Sequence, residues 1–456
     1  MIRTDTIAAI ASGLTSSGIG IIRISGSDSV CIADKVARPI KGQLHDLPAG
    51  SAKYCRIYDG DTFLDEAIVI VMRAPHSYTA EDVVEIQCHG GPYLMQRVLQ
   101  AVIAAGALPA EPGEFTKRAF FNGRLDLTQS EAVMQLISSS SEYARKAALD
   151  ALSGTIRAKV SALRGQIIHD TAFLEAAMDD PEHIDAEGYA EELKEHISGA
   201  IKELSAMIEG ANEGRVLREG IKTVILGSPN VGKSTLLNYL YGSDRAIVTD
   251  IPGTTRDTLE EQIRMGQLML RLIDTAGLRD TEDPVEKAGV DRARSEAKSA
   301  DLILYVLDGT RKLTEKETEE ISALKENVLV LLNKDDGERS ISPEDIKKIT
   351  NAPVISISAK YGKGAEEIQS HIEQLFMANR LENSENYASV TARQQGELIG
   401  AKSALETVYD AICEGVSEDL YTVDMMDAYK CLGRITGEEA GDDLADEIFA
   451  SFCMGK

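Results

Sequence analysis

The chain has 456 residues, 43% hydrophobic and 27% charged, a balance that suits several packed domains and excludes a disordered chain. Its 48 basic residues against 74 acidic ones leave a formal net charge of -26, which excludes a broad basic grip on a nucleic-acid backbone by this chain alone. If RNA is the substrate, a partner supplies much of the grip.

No apolar run approaches the roughly 18 residues that a membrane span needs. The opening "MIRTDTIAAIASG" has one basic residue, an early Asp5 and a short apolar stretch, so no signal peptide is expected and the protein is read as cytoplasmic. Six cysteines (Cys31, Cys55, Cys88, Cys413, Cys431, Cys453) are scattered without CxxC spacing, which argues against a zinc site or a redox pair. Most are expected as reduced, buried thiols.

Along residues 1–119, short β-rich runs ("GIGIIRIS", "EAIVIVM", "DVVEIQ") mix with the helical "PYLMQRVLQAVIAAG", as in a small α+β domain. Residues 120–217 read as helical, with Thr128 and Glu131 at capping-box spacing near the start. Over 218–379, apolar runs ("IKTVILG", "LMLRLID", "DLILYVLD", "NVLVLLN", "APVISIS") alternate with helical stretches, the pattern of a parallel sheet covered by helices. Residues 380–456 turn helical again. The economical reading inserts the α/β domain into one helical domain whose halves pack together; two independent helical domains are the alternative.

"GSPNVGKST", residues 227 to 235, follows the strand-like "IKTVIL" and opens a helical run. A glycine-rich turn there lets backbone N–H groups surround phosphates, Lys233 reach the outer phosphates and the Ser234 hydroxyl ligate Mg²⁺. Asn230, Val231, Gly232 and Thr235 complete this loop. In "NKDD", Asn333, Lys334 and Asp336 follow another apolar strand. The Asp336 carboxylate can accept two hydrogen bonds from the Watson-Crick edge of guanine, while adenine would leave it unpaired. "SAK" (Ser358, Ala359, Lys360) comes later, so the motif order is that of a translation-factor-like GTPase domain. Between these motifs lie the polar "TDIPGTTRD" at 249 to 257 and "DTAG" (Asp274, Thr275, Ala276, Gly277). Thr255 is the candidate switch threonine for Mg²⁺, Asp274 would hold the ion through the outer shell, and the Gly277 N–H would sense the γ-phosphate. Leu278 stands where many GTPases carry a glutamine, which leaves the positioning of the attacking water open.

Together with "DTIAAIAS", "GIGIIRISG", "VEKAGV" and the terminal "FCMGK", these motifs resemble the tRNA modification GTPases of the MnmE or TrmE family across essentially the whole chain. The resemblance implies three parts: an N-terminal α+β folate-binding and dimerisation domain, a discontinuous all-α domain, and an inserted Ras-like P-loop GTPase domain. It implies Glu286 as the water-orienting carboxylate. It also implies K⁺ in place of an arginine finger, held by the Asn230 side chain, the Thr249 and Ile251 backbone oxygens and Thr254. A reduced folate, 5-formyl- or methylene-tetrahydrofolate, would be contacted by Arg23, Glu85, Arg124 and Lys456, and Cys453 would act near the modification centre. Relatives often carry lysine at position 124, a Pro-Gly-Arg-Gly-type loop at 12–17 and Ile or Val at 454; this chain has Arg124, "SGLTSS" and Met454. The implied partner is a flavin-dependent MnmG or GidA-type protein carrying FAD, joined to the homodimer in a heterotetramer or larger complex. The implied product is an aminomethyl or carboxymethylaminomethyl group at C5 of a tRNA wobble uridine. A ribosome-assembly GTPase is the rival reading, but no basic KH-type module follows the α/β region. A stand-alone folate one-carbon transferase leaves the GTPase motifs unexplained.

Overall fold

The computed structural model describes residues 5–180, 182–183, 188–242, 261–273, 300–323, 327–377, 389–417, 420–439, 448–450, 452 and 455. They fall into two compact units: Met1–Met134 with Leu152–Ile201 and Gly396–Lys456, and Gln135–Ala151 with Lys202–Gln395.

The first unit begins with seven strands: β1 (Ile7–Ile10), β2 (Ser17–Ser25), β3 (Ala37–Pro39), β4 (Ser51–Asp59), β5 (Thr62–Met72), β6 (Val83–Gly90) and β7 (Leu108–Pro109). They form one sheet in the order β3-β4-β5-β6-β2-β1-β7. Alternate residues of β5 (Ala67, Val69, Val71) and β6 (Val84, Ile86, Cys88) point into one core, where α1 (Ser29–Val36) and α2 (Pro92–Ala104) lay Val30, Ile32, Met95 and Val98 over them. The period-2 pattern places hydrophobic side chains on one face, and the helices cover it. This is the expected α+β domain.

Helices follow: α3 (Glu114–Phe121), α4 (Leu127–Ser138), α5 (Glu142–Leu152), α6 (Thr155–Asp179) and α7 (Tyr189–Glu219). The capping box at α4 is not Thr128 and Glu131. Asp126 Oδ1 accepts from the Gln129 N–H at 2.9 Å, while the Asp126 N–H donates to Gln129 Oε1 at 3.0 Å. The helix starts two residues earlier than the motif suggests, so Thr128 is already inside the first turn and donates its hydroxyl to Asp126.

In the second unit, β8 (Ile221–Leu226), β9 (Glu261–Met265), β10 (Leu268–Leu272), β11 (Leu302–Asp308), β12 (Val328–Asn333) and β13 (Val354–Ser356) order as β13-β12-β11-β8-β10-β9. Every expected strand is present and these five are parallel. The sheet is nevertheless mixed, because β9, which the sequence did not announce, pairs antiparallel with β10 through a tight turn at Gly266, whose φ is 62°. β11 and β12 are buried along their whole length. Their two sets of side chains face different cores. Leu304, Val306, Leu329 and Leu331 meet α8 (Lys233–Gly242) and α11 (Ala365–Met377), while Ile303, Tyr305, Val330 and Leu332 meet Ile321 of α9 (Glu315–Ala323) and Ile346 of α10 (Pro343–Lys347).

The chain then returns to the first unit through α12 (Ala392–Glu414) and α13 (Tyr421–Thr436). The Arg164 side chain of α6, 7% exposed, lies 4.1 Å from the ring centre of Tyr429 in α13 and pairs with Glu438 and Glu439 just beyond it. A helix from before the α/β region therefore packs against one from after it. Phe449 and Phe452 sit with Leu127 and the Phe120 ring in a further cluster. Leu444, four residues before Ile448 and eight before Phe452, lies outside the described residues.

The five described cysteines are free thiols, but only Cys55 and Cys88 are buried. Cys31 and Cys413 are exposed because α1 and α12 turn those positions to solvent, so the expectation of mostly buried thiols fails. Burial pushes the Cys55 and Cys88 thiols up to about 11, which leaves them unreactive near neutral pH.

Phe449 is 1% exposed. Phe449→Ala should cost about 3–5 kcal/mol, read by urea denaturation against Val423→Ala at an exposed position of α13, which should stay within about 0.5 kcal/mol of wild type.

Candidate functional site

The candidate nucleotide site lies where β8, β11, β12 and β13 end, the edge at which open parallel sheets bind ligands. After β8 the chain turns sharply: Asn230 has φ 62° and Gly232 φ 98°, and α8 begins at Lys233. At Gly232 a Cβ would stand 2.3 Å from Asn333 Nδ2, so both the backbone angle and the space require glycine. Lys233 folds its ammonium over the loop, donating to the carbonyls of Gly227 at 2.7 Å and Ser228 at 3.0 Å. Ser234 is half-buried and Thr235 exposed in the first turn of α8.

The expected base-reading segments converge on this loop. Asn333, 3% exposed, donates through Nδ2 to the Val231 carbonyl at 2.8 Å and accepts through Oδ1 from the Ala359 N–H at 3.0 Å. One side-chain amide thus joins all three segments. Lys334, at φ 67°, donates to the Asn230 carbonyl at 3.1 Å and to Asp308 Oδ2 at 2.6 Å. Asp336 is exposed and accepts from the Ser358 hydroxyl at 2.5 Å, leaving carboxylate valence directed outward. Lys360 is exposed beside the Tyr361 ring.

Three carboxylates here were not singled out from the sequence. Burial alone would raise the Asp308 pKa, but its bonds from Lys334 and Thr310 outweigh that and hold it below the usual range. Asp335, its side chain 5% exposed, is held low first by Lys363 at 2.7 Å and then by Arg339; its N–H also donates to the Ile357 carbonyl, fastening the two base-side loops together. Glu317, 1% exposed, receives Ser228 Oγ at 2.6 Å, both terminal nitrogens of Arg311, and the Thr314 N–H and hydroxyl. Burial opposes its ionisation, and these donors still pull it down to about 2. The "TEKE" spacing of Thr314 and Glu317 announces a capping box, which could have flagged the residue; nothing in the sequence announces its bond to the loop.

A second cluster lies on the N-terminal sheet. Arg23 of β2 and Glu85 of β6 stand opposite each other in register and pair at 2.9 Å. The Arg23 guanidinium lies 5.2 Å from the Tyr78 ring centre, Arg124 lies 5.0 Å from the same ring, and Arg124 donates to the Tyr78 carbonyl. Tyr78, between two arginines, was not singled out; its hydroxyl bonds Thr116 at 2.8 Å. Gly455 at φ 85° packs against the Ile10 carbonyl, and its own carbonyl accepts from Arg23 at 3.4 Å. The chain's penultimate residue therefore reaches the same cluster. In the atypical 12–17 segment, the Ser12 hydroxyl accepts from the Ile21 N–H and Ser17 donates to the Ile19 carbonyl.

Thr249, Ile251, Thr254, Thr255, Asp274, Thr275, Ala276, Gly277, Glu286, Cys453, Met454 and Lys456 lie outside the described residues. Among the described residues, no group of three or more His, Cys, Asp or Glu side chains could hold a metal ion, and no helix is long and apolar enough to cross a membrane.

Two family models match: the GTP-binding protein TrmE N-terminus over residues 6–124 and the MnmE helical domain over residues 127–453. The chain belongs to the MnmE family of tRNA modification GTPases. The protein named tRNA modification GTPase MnmE from Lachnoclostridium phytofermentans is 46% identical over 457 residues, covering 100% of both chains. The MnmE proteins of Lactobacillus gasseri and Shouchella clausii are each 43% identical, covering 99% of this chain and 98% and 99% of theirs. The chain therefore spans the full length of these MnmE relatives. The model of the helical domain runs across the whole α/β region, as a domain interrupted by an insertion would.

Because the Glu317 pKa is lower folded than unfolded, its contribution of about 3 kcal/mol is complete above about pH 4.5 and lost as pH falls toward 2. Urea denaturation should therefore show wild type more stable than Glu317→Gln at about pH 6, with the gap narrowing at about pH 3 and closing as pH falls toward 2.

Proposed function

We propose that the chain binds and hydrolyses GTP at the edge formed by residues 227–235, 333–336 and 358–360, and uses that hydrolysis in the modification of tRNA. The observation that carries the reading is the Asn333 amide, which joins the glycine-rich loop to both base-side segments at the carboxyl ends of parallel strands. MnmE family membership supports the tRNA side.

In this reading the loop N–H groups and the α8 N-terminus receive the phosphates, and Lys233 exchanges the Gly227 and Ser228 carbonyls for phosphate oxygens. Asp336 reads the N–H groups of guanine, with Ser358 holding its other side. The half-buried Ser234 hydroxyl suits a Mg²⁺ ligand, with Thr255 and Asp274 as its proposed companions; the ion would screen the phosphate charge. Asn230, exposed at the turn of the loop, fits an oxygen ligand for K⁺, with Thr249, Ile251 and Thr254 completing that set; the cation would take the role an arginine finger plays elsewhere. Glu286 orients the water. Thr275 and Ala276 belong to the proposed GTP-binding set, and the Gly277 N–H would sense the γ-phosphate.

The N-terminal cluster fits a reduced folate: Arg23 and Arg124 flank an aromatic ring and offer donors to carboxylate or pterin oxygens, while Glu85 offers an acceptor. Lys456 and Cys453 belong to this proposal as well. The bound folate would supply the bridging carbon. We place the divisions at 1–119, 120–217, 218–379 and 380–456, and read the protein as a cytoplasmic homodimer acting with a flavin-dependent MnmG or GidA-type partner, which carries FAD and most of the tRNA contact. The product would be an aminomethyl or carboxymethylaminomethyl group at C5 of the wobble uridine.

GTP turnover should be faster in K⁺ than in Na⁺ and fall sharply in Glu286→Ala; equal rates in all four conditions would remove this hydrolytic mechanism. Nucleoside mass spectrometry of tRNA from cells lacking the protein should show loss of a C5-aminomethyl-type uridine, restored by wild type and not by Asp336→Asn. An unchanged profile with accumulating ribosomal precursors would favour an assembly factor instead.

A further inference from the structure

Ser228, the second residue of the glycine-rich loop, has a hydroxyl that no phosphate contact in the proposed function uses. It donates to Glu317 Oε1 at 2.6 Å, across 89 residues of sequence. Glu317 is buried, and its other acceptor positions are filled: Oε1 also takes one Arg311 nitrogen at 2.6 Å, and Oε2 takes the second at 3.0 Å with the Thr314 N–H at 2.9 Å and hydroxyl at 3.0 Å. The Glu317 N–H returns a bond to the Thr314 hydroxyl, closing the capping box of α9. The carboxylate is therefore held by its own helix turn and by a guanidinium before it meets the loop. Its position is set independently of Ser228.

We infer that Glu317 is a positioning residue for the phosphate-binding loop, acting through the Ser228 hydroxyl. The inference rests on reading residues 227–235 as that loop. A loop that receives phosphates through its backbone N–H groups must be held open beforehand, since any ordering left until binding subtracts from affinity. The Ser228 carbonyl accepts from Lys233, so the same residue is held at its side chain by Glu317 and at its backbone by the phosphate-reaching lysine. A bare carboxylate here would repel phosphate. Arg311, paired with it through both terminal nitrogens, cancels that charge, so the anchor holds the loop without opposing the ligand.

The test uses the full chain with GDP as probe, titrated against wild type, Ser228→Ala, Glu317→Gln and the double variant, with thermal unfolding recorded for each. Ser228→Ala leaves Glu317 its remaining donors, so the variant should stay folded and melt above Glu317→Gln while binding GDP about tenfold more weakly, the worth of one charge-assisted hydrogen bond. Glu317→Gln should weaken binding similarly, and the double variant should bind no more weakly than the poorer single one. Wild-type affinity in Ser228→Ala, or losses that multiply in the double variant, would overturn the inference. A wild type that binds neither GDP nor GTP would instead overturn the phosphate-loop reading beneath it.

Discussion

The buried amide of Asn333 is the join on which the candidate nucleotide site depends. It offers one donor and one acceptor, and both are used across long stretches of chain: Val231 lies 102 residues away and Ala359 lies 26. An aliphatic side chain there would leave a buried carbonyl and a buried N–H without partners, each costing about 1–3 kcal/mol. It would also lose the geometry, because Gly232 approaches that amide so closely that no Cβ fits between them. A phosphate-receiving loop and a base-reading loop are useful only at a set separation, and this amide sets it.

The charges around the site follow from the acidity of the chain. A net charge of -26 is a poor background for binding a nucleotide polyphosphate. Three carboxylates near the loops are paired with cations: Asp308 with Lys334, Glu317 with Arg311, Asp335 with Lys363 and Arg339. These pairs neutralise the rim while fastening one loop to another. Asp336, exposed and bonded to a neutral hydroxyl, is the exception, and it is the carboxylate assigned to guanine.

The cluster on the N-terminal sheet is built on different physics. Arg23 and Arg124 hold their charge beside the face of one tyrosine, and Glu85 satisfies the first of them across a strand pair. Gly455 meets this cluster because Phe449 and Phe452, a few residues earlier, are buried against Leu127 and the α3 aromatics. Burial of two aromatic rings thus delivers the end of the chain to a polar site.

Much of this was legible in the order of residues. Strand, glycine-rich turn and helix at 221–242 are local patterns, and "NKDD" and "SAK" follow apolar runs that read as buried strands. Arg23, Glu85 and Arg124 follow from the family resemblance, but the meeting of the two arginines at the Tyr78 ring does not. What escaped was non-local. The α4 cap shifted to Asp126 because a helix start depends on the turn before it; the antiparallel β9 edge, the exposure of Cys31 and Cys413, Tyr78 between its arginines, and the bond from Ser228 to Glu317 all depend on which distant segments become neighbours. Sequence by itself determined which loops hold the residues suited to phosphate and base chemistry, because backbone freedom and side-chain type are local properties. Only the tertiary structure decided how those loops are held and neutralised, because hydrogen bonds and ion pairs form between residues that the fold, and not the chain, makes adjacent.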